Sequence, residues 1–189
     1  MVNIAIFASG NGTNAENITR YFKNSNTVKV ATLFTGNPKA GVLSRMEPYG
    51  VPCRIFSREQ WNDPIDIVNE LHRLDISLIV LAGFMSMVHT PIIEAVKGNI
   101  INIHPSLLPK FGGKGMWGMN VHKAVIEAGE TQSGITIHYV TEEIDNGTIL
   151  CQRSCPVMPD DTPESLAKRV HELEYEAFPA IIEQLAEKL

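Results

Sequence analysis

Five short apolar runs recur along the first 104 residues: NIAIFA from Asn3, KVATLFT from Lys29, CRIFS from Cys53, SLIVLAGF from Ser77 and NIINIH from Asn99. In most of them the β-branched and aromatic residues follow one another instead of alternating with polar ones, the pattern of strands covered on both faces. Helical patterns separate the runs. In NAENITRYFKN, Ile18, Tyr21 and Phe22 fall at i, i+3 and i+4, and in PIDIVNELHRL Ile67, Val68, Leu71 and Leu74 share one face. Strand and helix in alternation predict βαβ units, and hence an α/β chain built on an open, twisted, mostly parallel sheet with helices on both faces.

After Gly134 the texture changes. GITIHYV and TILCQRSCPV are β-rich and flank TEEIDNG, where Asp145, Asn146 and Gly147 signal a turn, so the sheet is expected to end in a mixed C-terminal edge. The closing TPESLAKRVHELEYEAFPAIIEQLAEKL predicts a long helix with Thr162 as N-cap and Pro163 at N1. No capping box is expected, because Ser165 stands where an acidic residue would be, and a bend or break is expected near Pro179. No repeat, low-complexity tract or linker divides the sequence, so residues 1–189 are read as a single domain. With 44% hydrophobic and 20% charged residues it can build a sizeable core.

Several function classes are disfavoured at this level. A net charge of −5, with 16 Lys and Arg and no dense basic run, argues against nucleic acid as a partner. Cys53, Cys151 and Cys155 are odd in number and lack paired metal spacing, which points to no disulfide framework, no metal and a reducing, cytoplasmic setting. No segment approaches the roughly 20 apolar residues of a membrane span, and the N-terminal apolar stretch lacks the basic flank of a signal peptide.

The first strand runs into SGNGTNAENI. Gly10 and Gly12 let the backbone turn tightly with its amides uncovered, Ser9, Thr13 and Asn14 add side-chain donors, and the helix beyond contributes a positive dipole end, so the loop suits a phosphate. Gly10, Gly12 and Ala15 also satisfy G-x-G-x-x-A, but the second strand ends ATLFTGNPKAG, without the carboxylate a dinucleotide ribose requires.

Asn102 and His104 lie two apart near the carboxyl end of a parallel strand, where open α/β sheets collect ligands, and therefore point to one face. Pro105 and Pro109 bracket the strand exit. Each polar residue alone reads as structural; Asp145 alone reads as a turn-former. If folding brings Asp145 to His104, its carboxylate favours the imidazolium form, a proton donor near neutral pH. An amide, an imidazole and a carboxylate without an activated Ser or Cys suit direct acyl transfer to an external amine, in which the oxyanion needs donors and the departing nitrogen a proton.

Four segments in order, SGNGTN at 9–14, LAGFM at 81–85, NIHPSLLP at 102–109 and IDNG at 144–147, resemble the phosphoribosylglycinamide formyltransferase family along essentially the whole chain. The resemblance implies a Rossmann-like fold and transfer of a formyl group from 10-formyltetrahydrofolate to the amine of glycinamide ribonucleotide. It implies that Asn102 bonds the formyl oxygen, that His104 is the acid, and that Asp145 supports His104 and orders a water. Gly12, Thr13 and Asn14 would hold the ribose phosphate and Glu174 would meet the amine; without the family, Glu174 reads as a solvated helix residue. Met85, Ser86, Met87 and Val88 would line the folate slot, and Arg58 would contact the cosubstrate near its benzoyl or glutamate end. Monomer and homodimer both remain open.

Two departures stand out. Many relatives carry Arg where this chain has Ser86, and KFGGKGMWGMNVH at 110–122 is longer than the usual loop, reading as a mobile flap or a contact surface with exposed Met116, Trp117 and Met119. Methionyl-tRNA formyltransferase and formyltetrahydrofolate hydrolase share the core, yet each carries a further domain for which an acidic chain of 189 residues has no room. A non-catalytic nucleotide-binding domain and a dehydrogenase are the readings from other classes.

Overall fold

The computed structural model describes all 189 residues. Its strands are β1 (Val2–Phe7), β2 (Val28–Thr35), β3 (Cys53–Ile55), β4 (Ile76–Leu81), β5 (Ile100–His104), β6 (Gln132–Tyr139) and β7 (Ile149–Pro156). The helices are α1 (Thr13–Tyr21), α2 (Gly41–Met46), α3 (Arg58–Asn62), α4 (Ile65–Arg73), α5 (Thr90–Ala95), α6 (Met119–Glu127) and α7 (Pro163–Ala186). One sheet takes all seven strands in the order β3-β2-β1-β4-β5-β6-β7. The first five pair parallel, and β6 and β7 join antiparallel, which is the mixed edge read from the change of texture after Gly134.

The continuous apolar runs are explained by two cores, one on each face. Ile4 and Ile6 of β1 join Leu78, Val80, Ile101, Ile103, Ile135 and Ile137 under α1, α2, α6 and α7. Their neighbours Ala5 and Phe7 join Ile79, Leu81 and Ile100 under α3, α4 and α5. Each fully buried Ile, Leu or Phe contributes about 1.5–3 kcal/mol relative to exposure, so both faces of β1 and β4 must be covered.

Ile100 fixes the parity of β5. Residues 100, 102 and 104 share one face, so Asn102 and His104 continue the face of Ile100 beyond the apolar core. Across the antiparallel pairing, Asn102 lies opposite His138 and His104 opposite Thr136, so NIH and TIH form a polar square on a single face.

Helix α7 differs from expectation in two details. A capping box is present: the Thr162 hydroxyl accepts from Ser165 N–H at 3.2 Å, and the Ser165 hydroxyl accepts from Thr162 N–H at 2.9 Å, so a serine oxygen replaces the missing acid. The helix also runs without a break through Pro179, which is buried next to the fully buried Phe178. Arg54 and Ile55 of β3 are exposed at the sheet edge, and the strand shortens to three residues. No helix is long and apolar enough to cross a membrane.

Candidate active site

Strand order reverses about β1: the chain steps outward to β2 and β3, then crosses to β4 on the other side. A crevice opens at such a point beyond the carboxyl ends of the strands. Here the loops after β1 and β4 are tied together by Ser9 N–H to Gly83 O (3.1 Å), Ala82 N–H to Phe7 O (2.9 Å) and Met85 N–H to Ser9 Oγ (3.1 Å). Ser9 therefore braces the two loops through its hydroxyl oxygen, and it is not among the residues that line the cavity in this crevice.

A cavity of about 850 Å³ occupies the crevice, within the usual range for small-molecule sites. Its floor at one end is the start of α1. Gly12 adopts φ +77°, and a Cβ there would overlap Val42, so only glycine fits. Glu16 N–H is the first amide to bond back, to Gly12 O at 2.9 Å, which leaves the amides of Thr13, Asn14 and Ala15 unclaimed by the helix. No side chain caps this end. Gly12, Thr13 and Asn14 all line the cavity.

Glu174 reaches the same end from α7 and is 4% exposed, so the solvated reading of this residue is corrected. Its Oε2 accepts from Asn14 Nδ2 at 2.8 Å and from His171 Nδ1 at 2.7 Å. The bond to Glu174 holds the His171 imidazole above the ordinary histidine value against the opposing effect of burial. Asn14 Oδ1 is buried without a partner.

At the other end stand Asn102 and His104 from β5 and Asp145 from the turn after β6. His104 is 4% exposed, with Nε2 2.8 Å from Phe111 O and Nδ1 3.5 Å from Asp145 Oδ2. A carbonyl only accepts, so Nε2 carries a proton, and Nδ1 is the nitrogen left to exchange one with the carboxylate side. Asp145 Oδ2 also accepts from Gly113 N–H at 2.9 Å, which fixes the carboxylate from the glycine-rich loop. Asp145 adopts φ +54°, a left-handed conformation that aspartate tolerates better than most residues. Two residues on, a Cβ at Gly147 would overlap Tyr139 O, so the turn closes only with glycine there.

Met85, Ser86, Met87 and Val88 line the cavity from the loop after β4; Met85 and Met87 are exposed at its rim and Val88 is buried. Trp117, 54% exposed, and Met116 both line it from the glycine-rich loop, but Met116 is half-buried against the core and not exposed as expected. That loop is shorter than the sequence suggested, because α6 already begins at Met119. Arg58 is not brought to the site. It is the first residue of α3, its side chain is exposed, and it is not among the residues that line the cavity.

Sequence reasoning passed over two histidines of the site. His122 of α6 is 2% exposed, and burial pushes its imidazole below the ordinary value. His138 of β6 is also 2% exposed; Nδ1 lies 2.8 Å from Tyr139 O, Nε2 3.2 Å from Asn102 Nδ2, and Asp145 Oδ1 3.7 Å from that same Nε2. The TIH that mirrors NIH was the available signal, but it acquires meaning only with the strand register.

Residues 2–182 match the family model for formyl transferases. The chain is 38% identical to a chloroplastic phosphoribosylglycinamide formyltransferase of Vigna unguiculata, over 98% of its own length and 61% of that protein's, and so spans less than two thirds of that relative. It is 36% identical to the phosphoribosylglycinamide formyltransferase of Bacillus subtilis, over 98% of this chain and 95% of the relative. The crystal structure of glycinamide ribonucleotide transformylase 1 from Geobacillus kaustophilus superposes with a TM-score of 0.89 at 35% identity, covering 98% of this chain and 99% of that one. Sequence and fold agree over nearly every residue, and the chain belongs to the formyl transferase family.

Proposed function

We propose that this chain is a phosphoribosylglycinamide formyltransferase, moving the formyl group of 10-formyltetrahydrofolate to the primary amine of glycinamide ribonucleotide. The observation that carries the reading is the sharing of one cavity by Asn102, His104 and Asp145 with the uncapped start of α1. The phosphate is bound at Gly12, Thr13 and the α1 amides, Glu174 faces the same ligand from α7, and the glycinamide amine reaches across to the Asn102 and His104 end of the cavity. The folate ring occupies the slot of Met85, Ser86, Met87 and Val88.

In the reaction the amine nitrogen forms a bond to the formyl carbon, and the carbonyl π pair moves to oxygen. Asn102 donates an amide N–H to that oxyanion. Collapse breaks the bond from carbon to the folate nitrogen, which keeps the electron pair and takes a proton from Nδ1 of His104. His104 therefore enters this step as imidazolium, and the proton given up by the attacking amine passes by way of the Asp145 side back to Nδ1, which restores the starting state.

The test is formyl transfer from 10-formyltetrahydrofolate to glycinamide ribonucleotide by the native protein and His104→Ala at saturating substrates. Turnover that falls by about 10²-fold or more in the variant supports the reading. Deformylation of the folate without a ribonucleotide product would make the chain a hydrolase. A folded native protein that binds ribonucleotide and turns nothing over would make it a binding module.

A further inference from the structure

We propose that His138 is the positioning residue for Asn102: its Nε2 lone pair accepts from Asn102 Nδ2 and turns the amide so that the second N–H of Nδ2 faces the reacting carbonyl. The inference deepens the proposed function and rests on Asn102 being the oxyanion donor.

A side-chain amide has a donor end and an acceptor end of nearly equal size, and only the donor end stabilises an oxyanion. Something must choose between them. The bond at 3.2 Å to His138 is the only hydrogen bond made by the Asn102 side chain within the chain. The choice therefore depends on which tautomer His138 holds.

That tautomer follows from the backbone. Tyr139 O, 2.8 Å from His138 Nδ1, only accepts, so Nδ1 carries the proton. In a neutral ring Nε2 is then a bare acceptor, and Nδ2 is the only atom of the Asn102 amide that can bond to it. A charged ring would reverse this, since Nε2–H would call for Oδ1 and turn the carbonyl end toward the site. Burial pushes the His138 imidazole below its ordinary value and keeps the ring neutral. Burial outweighs the two effects that favour the charged ring, the Nδ1–H bond to Tyr139 O and the Asp145 carboxylate, whose Oδ1 lies 3.7 Å from Nε2. The strand register adds the last constraint, because Asn102 and His138 are direct partners across the antiparallel pair.

Two measurements test this. The first is the imidazole ¹⁵N spectrum of the native protein, where His138 is expected as the neutral Nδ1–H tautomer at pH 7.5; an Nε2–H tautomer or an imidazolium overturns the proposal. The second is kinetic. His138→Leu removes the acceptor and is expected to lower kcat about 10- to 100-fold with KM for both substrates within about twofold. His138→Gln places an amide oxygen near the same point and is expected to recover activity to within about threefold of native. Asn102→Ala and the double variant Asn102→Ala/His138→Leu are expected to be equally slow, since His138 acts through Asn102.

A His138→Leu enzyme with native kcat, a His138→Gln enzyme as slow as His138→Leu, or losses that multiply in the double variant each overturn the proposal. If the native protein transfers no formyl group, the proposed function falls, and the ¹⁵N spectrum still decides the hydrogen bond on its own.

Discussion

Replacing Thr136 by valine isolates what fixes the turn after His104. Thr136 is fully buried on β6, opposite His104, and its hydroxyl is saturated. It donates to Ser106 O at 2.7 Å and accepts from Leu108 N–H at 3.0 Å and Gln152 Nε2 at 2.9 Å. Valine matches the shape and deletes all three bonds. Gln152 keeps its bond to Leu108 O at 2.9 Å, so the groups left without a partner are the Ser106 carbonyl and the Leu108 amide. At about 1–3 kcal/mol for each buried unpaired group, the loss comes to about 2–6 kcal/mol. For a chain of this size that is a fall in Tm of roughly 5–20 °C. Thr136→Ser retains the hydroxyl, loses one methyl and should cost only about 1 kcal/mol. Urea unfolding of the three proteins gives the stabilities, and kcat measured on the same samples is expected to fall more in the valine variant, because the unanchored turn adjoins His104. A valine variant within about 1 kcal/mol of native, or a serine variant as unstable as the valine one, would refute the reasoning.

The pairing of His171 with Glu174 has a definite pH signature. Because the folded protein holds this imidazole above its unfolded value, its stabilising effect is complete below about pH 6.5 and fades as pH rises through the folded value. Between pH 6 and 9 the native Tm should therefore decline more than that of His171→Leu, and parallel slopes in scanning calorimetry would contradict the assignment. Gly147→Ala should displace the turn that carries Asp145, since its Cβ overlaps Tyr139 O. The expected result is a loss of kcat with the far-ultraviolet circular dichroism of the sheet and helices retained; native turnover would show that the turn adapts.

The architecture was legible because both faces of β1, β4 and β5 are covered, and that leaves continuous apolar runs in the sequence. NIH announced a shared face because the period of a strand is two. What could not be read were contacts set by register and helix rotation. His138 meets Asn102 only through the antiparallel pairing, and Glu174 is buried only because α7 turns that face toward α1. The capping box was missed because the rule for it expects an acid, and a serine hydroxyl at position 165 does the same work over a shorter reach. Arg58 was tied to the cosubstrate by the family resemblance alone, and nothing in the local sequence sets the direction of an exposed side chain on α3.

The strand order also gives the crevice a fixed length. The loop after β1 and the polar pair at the end of β5 are separated by β4 alone, two inter-strand steps of about 4.8 Å, or about 10 Å in all. Backbone pairing sets this distance, so no side-chain substitution at either end can stretch or shrink it. The sheet is a ruler: an anion and a reactive group held on one ligand engage both ends together only when the ligand is long enough to bridge three adjacent strands, and shorter molecules must choose one end.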